Sequence, residues 1–215
     1  QVRHLLRQLA LLEDELDEAD RLIARLSSRD PRVPRLMQAT GIGYCTAFSA
    51  LAIIGNIRRF PSAHNLTSYA GLVPSQHQSG KHSFHGHITK AGNTLLRWLM
   101  VEAARTAVRW DPYWRRVHAR IAHRRGSNIA TVAVARKLLV CVWHLLTDKA
   151  IYHHLQPQTF VRKLQNWAYR IGRTDLRASS SKQFVYDHLV ALKLDDLAHA
   201  LISKGRKGRL HVRTA

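Results

Sequence analysis

The sequence has 215 residues, 46% of them hydrophobic, enough to fill the core of one ordinary domain with smaller attachments, which excludes a disordered tail. Lys and Arg number 34 against 14 Asp and Glu, a formal charge of +20, so a polyanion is the expected partner, nucleic acid ahead of an acidic membrane surface. No apolar run reaches the roughly 18 residues that span a bilayer and no secretory leader opens the chain, so a soluble protein of the cell interior without membrane contact is expected.

Six of the 14 acids lie between Glu13 and Asp20, and none occurs from Pro31 to Val101. That long acid-free interval either faces an anion or borrows its acid-base chemistry from elsewhere. Cys45 and Cys141 stand far apart on what read as apolar helix faces, which favours buried, reduced thiols over a disulfide.

Leu5, Leu9, Leu12, Leu16, Ala19, Ile23 and Leu26 alternate spacings of four and three, the a/d seam of a coiled coil. About three heptads are marginal as an isolated helix, so this one is expected to pair with a partner helix or dock on a larger body. "SSRDPRVP", from Ser27 to Pro34, breaks it. In "ATGIGYCTAFSALAIIG", Gly41 and Gly43 permit a sharp turn and leave N–H groups of the next helix open to a phosphate, a pattern that resembles a helix-hairpin-helix; simple chain reversal is the plainer alternative. Ser62 is the expected N-cap of a short helix stopped at Gly71.

Residues 74–93, "PSQHQSGKHSFHGHITKAGN", are too polar for core and irregular in period: a loop, with a short hairpin as an option. From Asn93 an apolar stripe runs through Leu96, Leu99, Ala103 and Val108. Asp111 and Pro112 then open a helix that stops at Gly126, and residues 128–146 are apolar almost all round, as a central helix would be. Two amphipathic helices follow Tyr152, and the chain ends in a basic tail. The fold is therefore expected to be mainly α. It divides into a coiled-coil helix (1–30), a compact helical domain containing a helix-hairpin-helix and an irregular catalytic loop (31–152), an accessory helical extension (153–202) and a basic tail (203–215).

Three chemistries compete for the loop. His82, His85 and His87 have an HxxHxH spacing open to Zn²⁺, but no Cys or carboxylate is near and Lys81 and Lys90 oppose a cation, so no metal is assigned. A plain phosphate-contacting loop accounts for the composition. A nucleophilic serine needs a base, for which His77, His82, His85 and His87 are candidates, and cations to stabilise charge on phosphate, for which Lys81, Lys90 and Arg97 are candidates.

The ordered marks "GIG", "RFPSAHNLTSYAGLVP", "QSG" with a basic run after it, "ITKAGNTLLRWLM" and "VAVARKLLV" resemble the C-terminal transposase domain of insertion-sequence transposases related to the Piv/MooV DNA invertases, the bridge-RNA-guided recombinases. The resemblance covers about residues 34–150. It implies a DNA transposase or site-specific recombinase in which a serine, here Ser79, becomes covalently attached to DNA. It also implies a coiled coil, here residues 5–26, that brings copies of the chain together, a guide RNA beside the DNA, and a bacterial cytoplasmic setting. Gly41, Gly43, His77, Lys81, His82, His85, His87, Lys90 and Arg97 are the expected nucleic-acid contacts. The family's Mg²⁺ belongs to a RuvC-like domain with four acids, which these 215 residues do not contain, so no cofactor and no activity are expected of this chain alone. A non-catalytic nucleic-acid-binding remnant is the alternative.

Overall fold

A computed structural model describes residues 1–79, 82–148, 151–172, 176 and 180–203; for 76–79, 82–85, 87 and 200–203 the description is of backbone alone. The described residues are mainly α-helical, as expected, with one antiparallel two-stranded sheet. The chain forms two compact units: residues 1–34 with the described residues from Pro157 onward, and residues 35–156.

The first unit holds α1 (Val2–Ser27), α8 (Pro157–Ile171), α9 (Ser181–Ala191) and α10 (Asp195–Ser203). Helix α8 packs on both α1 and α9. The contact with α1 centres on Trp167, fully buried, whose indole N–H donates to the Ala24 carbonyl at 3.0 Å and the Ser27 hydroxyl at 3.1 Å. Near it, Arg170 pairs with Asp17 and with Asp20, the latter at 3.0 Å. Leu5, Leu9, Leu12 and Leu16 remain exposed, Leu16 at 69%. Ala19 and Leu26 are exposed as well, so among the described residues six of the seven seam positions are uncovered and only Ile23 is partly covered.

The short helix α2 (Arg32–Leu36) straddles the boundary and leads through the GIG turn into α3 (Tyr44–Ile54). After a 3-10 turn at Ile57–Arg59 come α4 (Ala63–Tyr69), β1 (Pro74–Ser79), β2 (His82–Ile88), α5 (Thr94–Trp110), α6 (Pro112–Arg125) and α7 (Ser127–Thr147). Ser62, Asn93 and Asp111 cap α4, α5 and α6, and Pro112 occupies the first turn of α6, so the starts follow the sequence signals. Gly71 and Gly126 take positive φ where α4 and α6 stop.

Helix α7 is the hub of this unit, packing against α4, α5 and α6 and burying Ala130, Val134, Leu138, Leu139 and Val142. Its length and mean hydropathy of 1.7 suffice for a bilayer crossing, which corrects the expectation that no run in the chain reaches that size. Adjacent exposed Arg136 and Lys137 at its midpoint, and helices packed along its sides, fit a protein core better than lipid. A second correction concerns Cys45, which is exposed. Cys141 is half-buried, and desolvation pushes its thiol up to about 11.

Candidate nucleic-acid interface

The histidine-rich stretch adopts the hairpin option rather than an irregular loop. Its strands carry no apolar alternation, which is why no strand period was legible, yet the backbone ladder pairs Gln76 with His85, His77 with Phe84, Gln78 with Ser83 and Ser79 with His82. By this register, positions 77, 79, 82 and 84 fall on one face of the ribbon and 76, 78, 83 and 85 on the other. Ser79 ends β1, next to the turn. Lys81 lies outside the described residues, as do the side chains of His77, Ser79, His82, His85 and His87.

The base of the hairpin is fixed by backbone bonds and one arginine. Thr89 N–H donates to Val73 O at 2.9 Å, Lys90 N–H to Gly71 O at 3.2 Å, and Asn93 N–H to Tyr69 O at 2.7 Å. Arg97, one turn into α5, donates from Nη1 to Ala70 O at 2.9 Å and to Lys90 O at 3.1 Å. Gly92 lets this crossing close: its φ is +141°, and a Cβ there would stand 2.3 Å from Tyr69 O. Arg97 thus positions the hairpin while adding its charge beside Lys90, which is exposed at φ 54°.

The two glycines of the GIG turn differ in kind. A Cβ on Gly41 would lie 2.1 Å from Ala103 O of α5, so this glycine is required by packing at φ +92°. Gly43 is the N-cap of α3, and a Cβ there would meet nothing within 4 Å. Both the GIG turn and the hairpin base rest on α5, at Ala103 and Arg97, about 9 Å apart along its axis at 1.5 Å per residue.

Helix α6 carries a row of exposed cations that the sequence reading did not single out. Arg116, Arg120 and Arg124 are exposed at i, i+4 and i+8, one stripe with steps of about 6 Å. No ion pair is found for them among the described residues. The signal was available as the spacing in "RVHARIAHR", but in so basic a chain no single run of arginines stands out. Arg115 faces the other way, donating to Arg109 O at 2.6 Å and tying α6 to the end of α5.

Residues 35–156 contain three of the 14 acids, and each has a structural task. Glu102 pairs with Arg105 at 2.6 Å, and Asp148 meets His144 Nδ1 at 2.8 Å. Asp111 is fully buried; Oδ1 accepts the Tyr113 N–H at 2.9 Å while Oδ2 has no hydrogen-bond partner among the described residues. Three carboxylates so scattered do not make a Mg²⁺ site, and among the described residues no group of three or more His, Cys, Asp or Glu is placed to hold a metal ion.

Residues 33–119 match the model of the transposase IS116/IS110/IS902 family. They form a transposase domain of that family. It runs from α2 through the hairpin and α5 into α6, so it includes Ser79, both GIG glycines and the Arg97 clamp. A "Probable family 20 transposase" of Pseudomonas aeruginosa is 34% identical over 159 residues, covering 69% of this chain and 46% of the relative. The "Transposase for insertion sequence element IS1111A" of Coxiella burnetii is 36% identical over 125 residues, 55% of this chain and 34% of the relative. An "Insertion element IS116 uncharacterized 44.8 kDa protein" of Streptomyces clavuligerus is 28% identical over 159 residues, 72% and 39% respectively. The chain thus spans less than half the length of these relatives.

Proposed function

We propose that this chain is the DNA-holding and strand-attaching portion of an insertion-sequence transposase. The transposase-family match over residues 33–119, centred on a hairpin that ends β1 at Ser79, carries the reading. Phosphates of duplex DNA lie on Arg116, Arg120 and Arg124 and near the GIG turn before α3, in the manner of a helix-hairpin-helix. Ser79 Oγ attacks a backbone phosphorus: an O–P bond forms, the bond from phosphorus to one deoxyribose oxygen breaks, the serine proton passes to a base, and the departing oxygen takes a proton. His77 and His82 share a ribbon face with Ser79 by register and are therefore preferred over His85 and His87 as the base. Lys81, Lys90 and Arg97 offset charge on the phosphate. Since every acid in residues 35–156 has a structural task, Mg²⁺ and its carboxylates belong to an acid-bearing partner domain. The exposed leucines of α1 join two copies, a guide RNA shares the basic surface, and the setting is the DNA-containing cytoplasm of a bacterium.

The deciding experiment supplies the acid-bearing domain and a DNA junction and looks for a denaturant-resistant protein–DNA adduct. The adduct is expected with the native sequence and with Ser83→Ala and absent with Ser79→Ala; an adduct that survives Ser79→Ala overturns the nucleophile assignment. The structural duties of all three acids also favour a second reading, a non-catalytic DNA-binding module. On that reading duplex DNA is retained but no adduct forms even when the acid-bearing domain is supplied.

A further inference from the structure

Between the hairpin base and the start of α7 lies a groove of about 600 Å³, within the range that holds small organic ligands, about 300–1,000 Å³. Pro74 and Ile88 of the hairpin and Ile129 and Val132 of α7 form an apolar floor. Ile129 is 48% exposed, an uncovered aliphatic side chain on an otherwise well-packed helix. Around this floor stand Lys90, Arg125 and Arg136, all exposed, and no acid is found among the described lining residues.

Apolar floor and cationic rim together specify the occupant. A paired duplex offers such a surface only its phosphates and sugars, which would leave the aliphatic floor without a counterpart. An unpaired nucleotide presents both halves: a base whose face is apolar and a phosphate for the rim. A free apolar helix from another protein would leave three cations unmatched. Asn128 is the single uncharged polar side chain among the described lining residues, too small a set of donors and acceptors to read ribose hydroxyls. Ser79 lies five residues along β1 from Pro74, about 17 Å at strand rise, so a strand seated here continues along the ribbon towards the serine.

We infer that this groove holds an unpaired segment of DNA, with a base on the Ile88–Ile129–Val132 floor and flanking phosphates on Lys90, Arg125 and Arg136. The inference rests on the DNA-binding reading above and deepens it, because exchange of strands requires that one strand leave its complement. It also separates two tasks on one unit: the α6 stripe holds paired DNA and the groove holds the strand that has been freed.

The test compares a duplex containing a three-nucleotide single-stranded gap with an intact duplex of equal length, and reads the ratio of the two affinities for the full chain. A 2-aminopurine within the gap reports stacking of the base. The gapped duplex is expected to bind at least tenfold more tightly, with a fluorescence change. Ile129→Glu and Arg136→Gln should each bring the ratio close to one and remove the fluorescence change, whereas Lys137→Gln, a neighbouring exposed cation outside the groove, should keep both. Circular dichroism melting of each variant checks folding, and Arg125→Gln is the replacement should Ile129→Glu unfold. Duplex binding with no preference for the gap overturns the groove assignment and leaves the DNA-binding reading intact. Failure to bind either DNA overturns both. Tighter binding of single-stranded RNA of the same sequence, lost in Ile129→Glu, overturns the choice of DNA.

Discussion

The two units of this chain use charge in opposite ways. In the unit built from α1 and the helices after Pro157, acids answer arginines: Asp17 accepts from Arg21 at 2.6 Å as well as from Arg170, and Asp30 holds Arg32 at 2.7 Å. Those arginines also keep the carboxyls of Asp17 and Asp30 below the ordinary range. In residues 35–156, 16 of the 34 Lys and Arg meet three acids. The cations of α6 and of the groove therefore repel one another unless an external anion arrives. A basic composition by itself says nothing about which face binds; the location of the missing acids does.

The largest effect should come from the unmatched face. Replacing Arg116, Arg120 and Arg124 together by Gln is expected to lower duplex affinity by several hundredfold near 0.1 M salt and to flatten the log-log salt dependence by about 2.7, since each lost phosphate contact removes about 0.9 from the slope. Fluorescence anisotropy across a salt series reads both quantities, and an unchanged slope would remove α6 from the interface. Next comes the matched unit's anchor. Trp167→Ala deletes a fully buried ring and two hydrogen bonds and should cost about 3–5 kcal/mol in urea unfolding, with duplex binding by residues 35–156 retained. Asp111→Ala removes the α6 cap for about 1–2 kcal/mol, while Asp111→Asn, itself a good cap, should cost clearly less.

A pH-dependent effect has opposite signs in the two units. Desolvation lowers the Lys163 ammonium to about 7, so the unfolded chain takes up this proton more readily and stability rises with pH from about 7 to the ordinary lysine value near 10.4. Burial raises the Cys141 thiol to about 11, so the unfolded chain loses this proton first and stability falls as pH climbs from about 8.5 to that value. Urea unfolding at pH 7 and pH 10 should show that Lys163→Met removes a gain and Cys141→Ala removes a loss. The same sign for both variants would contradict these environments.

Sequence patterns foretold the parts of the fold that are encoded locally. Caps at Ser62 and Asp111, the return to helix at Asn93 and the apolar run of α7 were visible because each depends on residues within a turn or two of one another. The hairpin was only an option, since its pairing is between polar residues and its closure depends on Arg97, 18 residues beyond Ser79. The leucine seam was legible as a pattern, but not the face by which α1 docks: Trp167 anchors Ala24 and Ser27, which lie beside the seam, while all five seam leucines stay exposed. Of the candidate site, Gly41 was singled out by the GIG spacing and Arg97 as a cation near the loop, and what the structure shows for each is a packing role. The Arg116 stripe and the groove were missed because they arise from helix phase and from the approach of α7 to the hairpin, neither of which a local run displays.

The attachment of both the GIG turn and the hairpin to α5 has a mechanical consequence. With Gly41 seated on Ala103 and Arg97 clasping Ala70 and Lys90, the interval between the GIG turn and the hairpin base is measured by helix rise rather than by a slack loop. Helix α5 acts as a ruler. On the DNA-binding reading proposed above, a ruler of fixed length would meet the regular step of a nucleic-acid backbone whatever its bases spell.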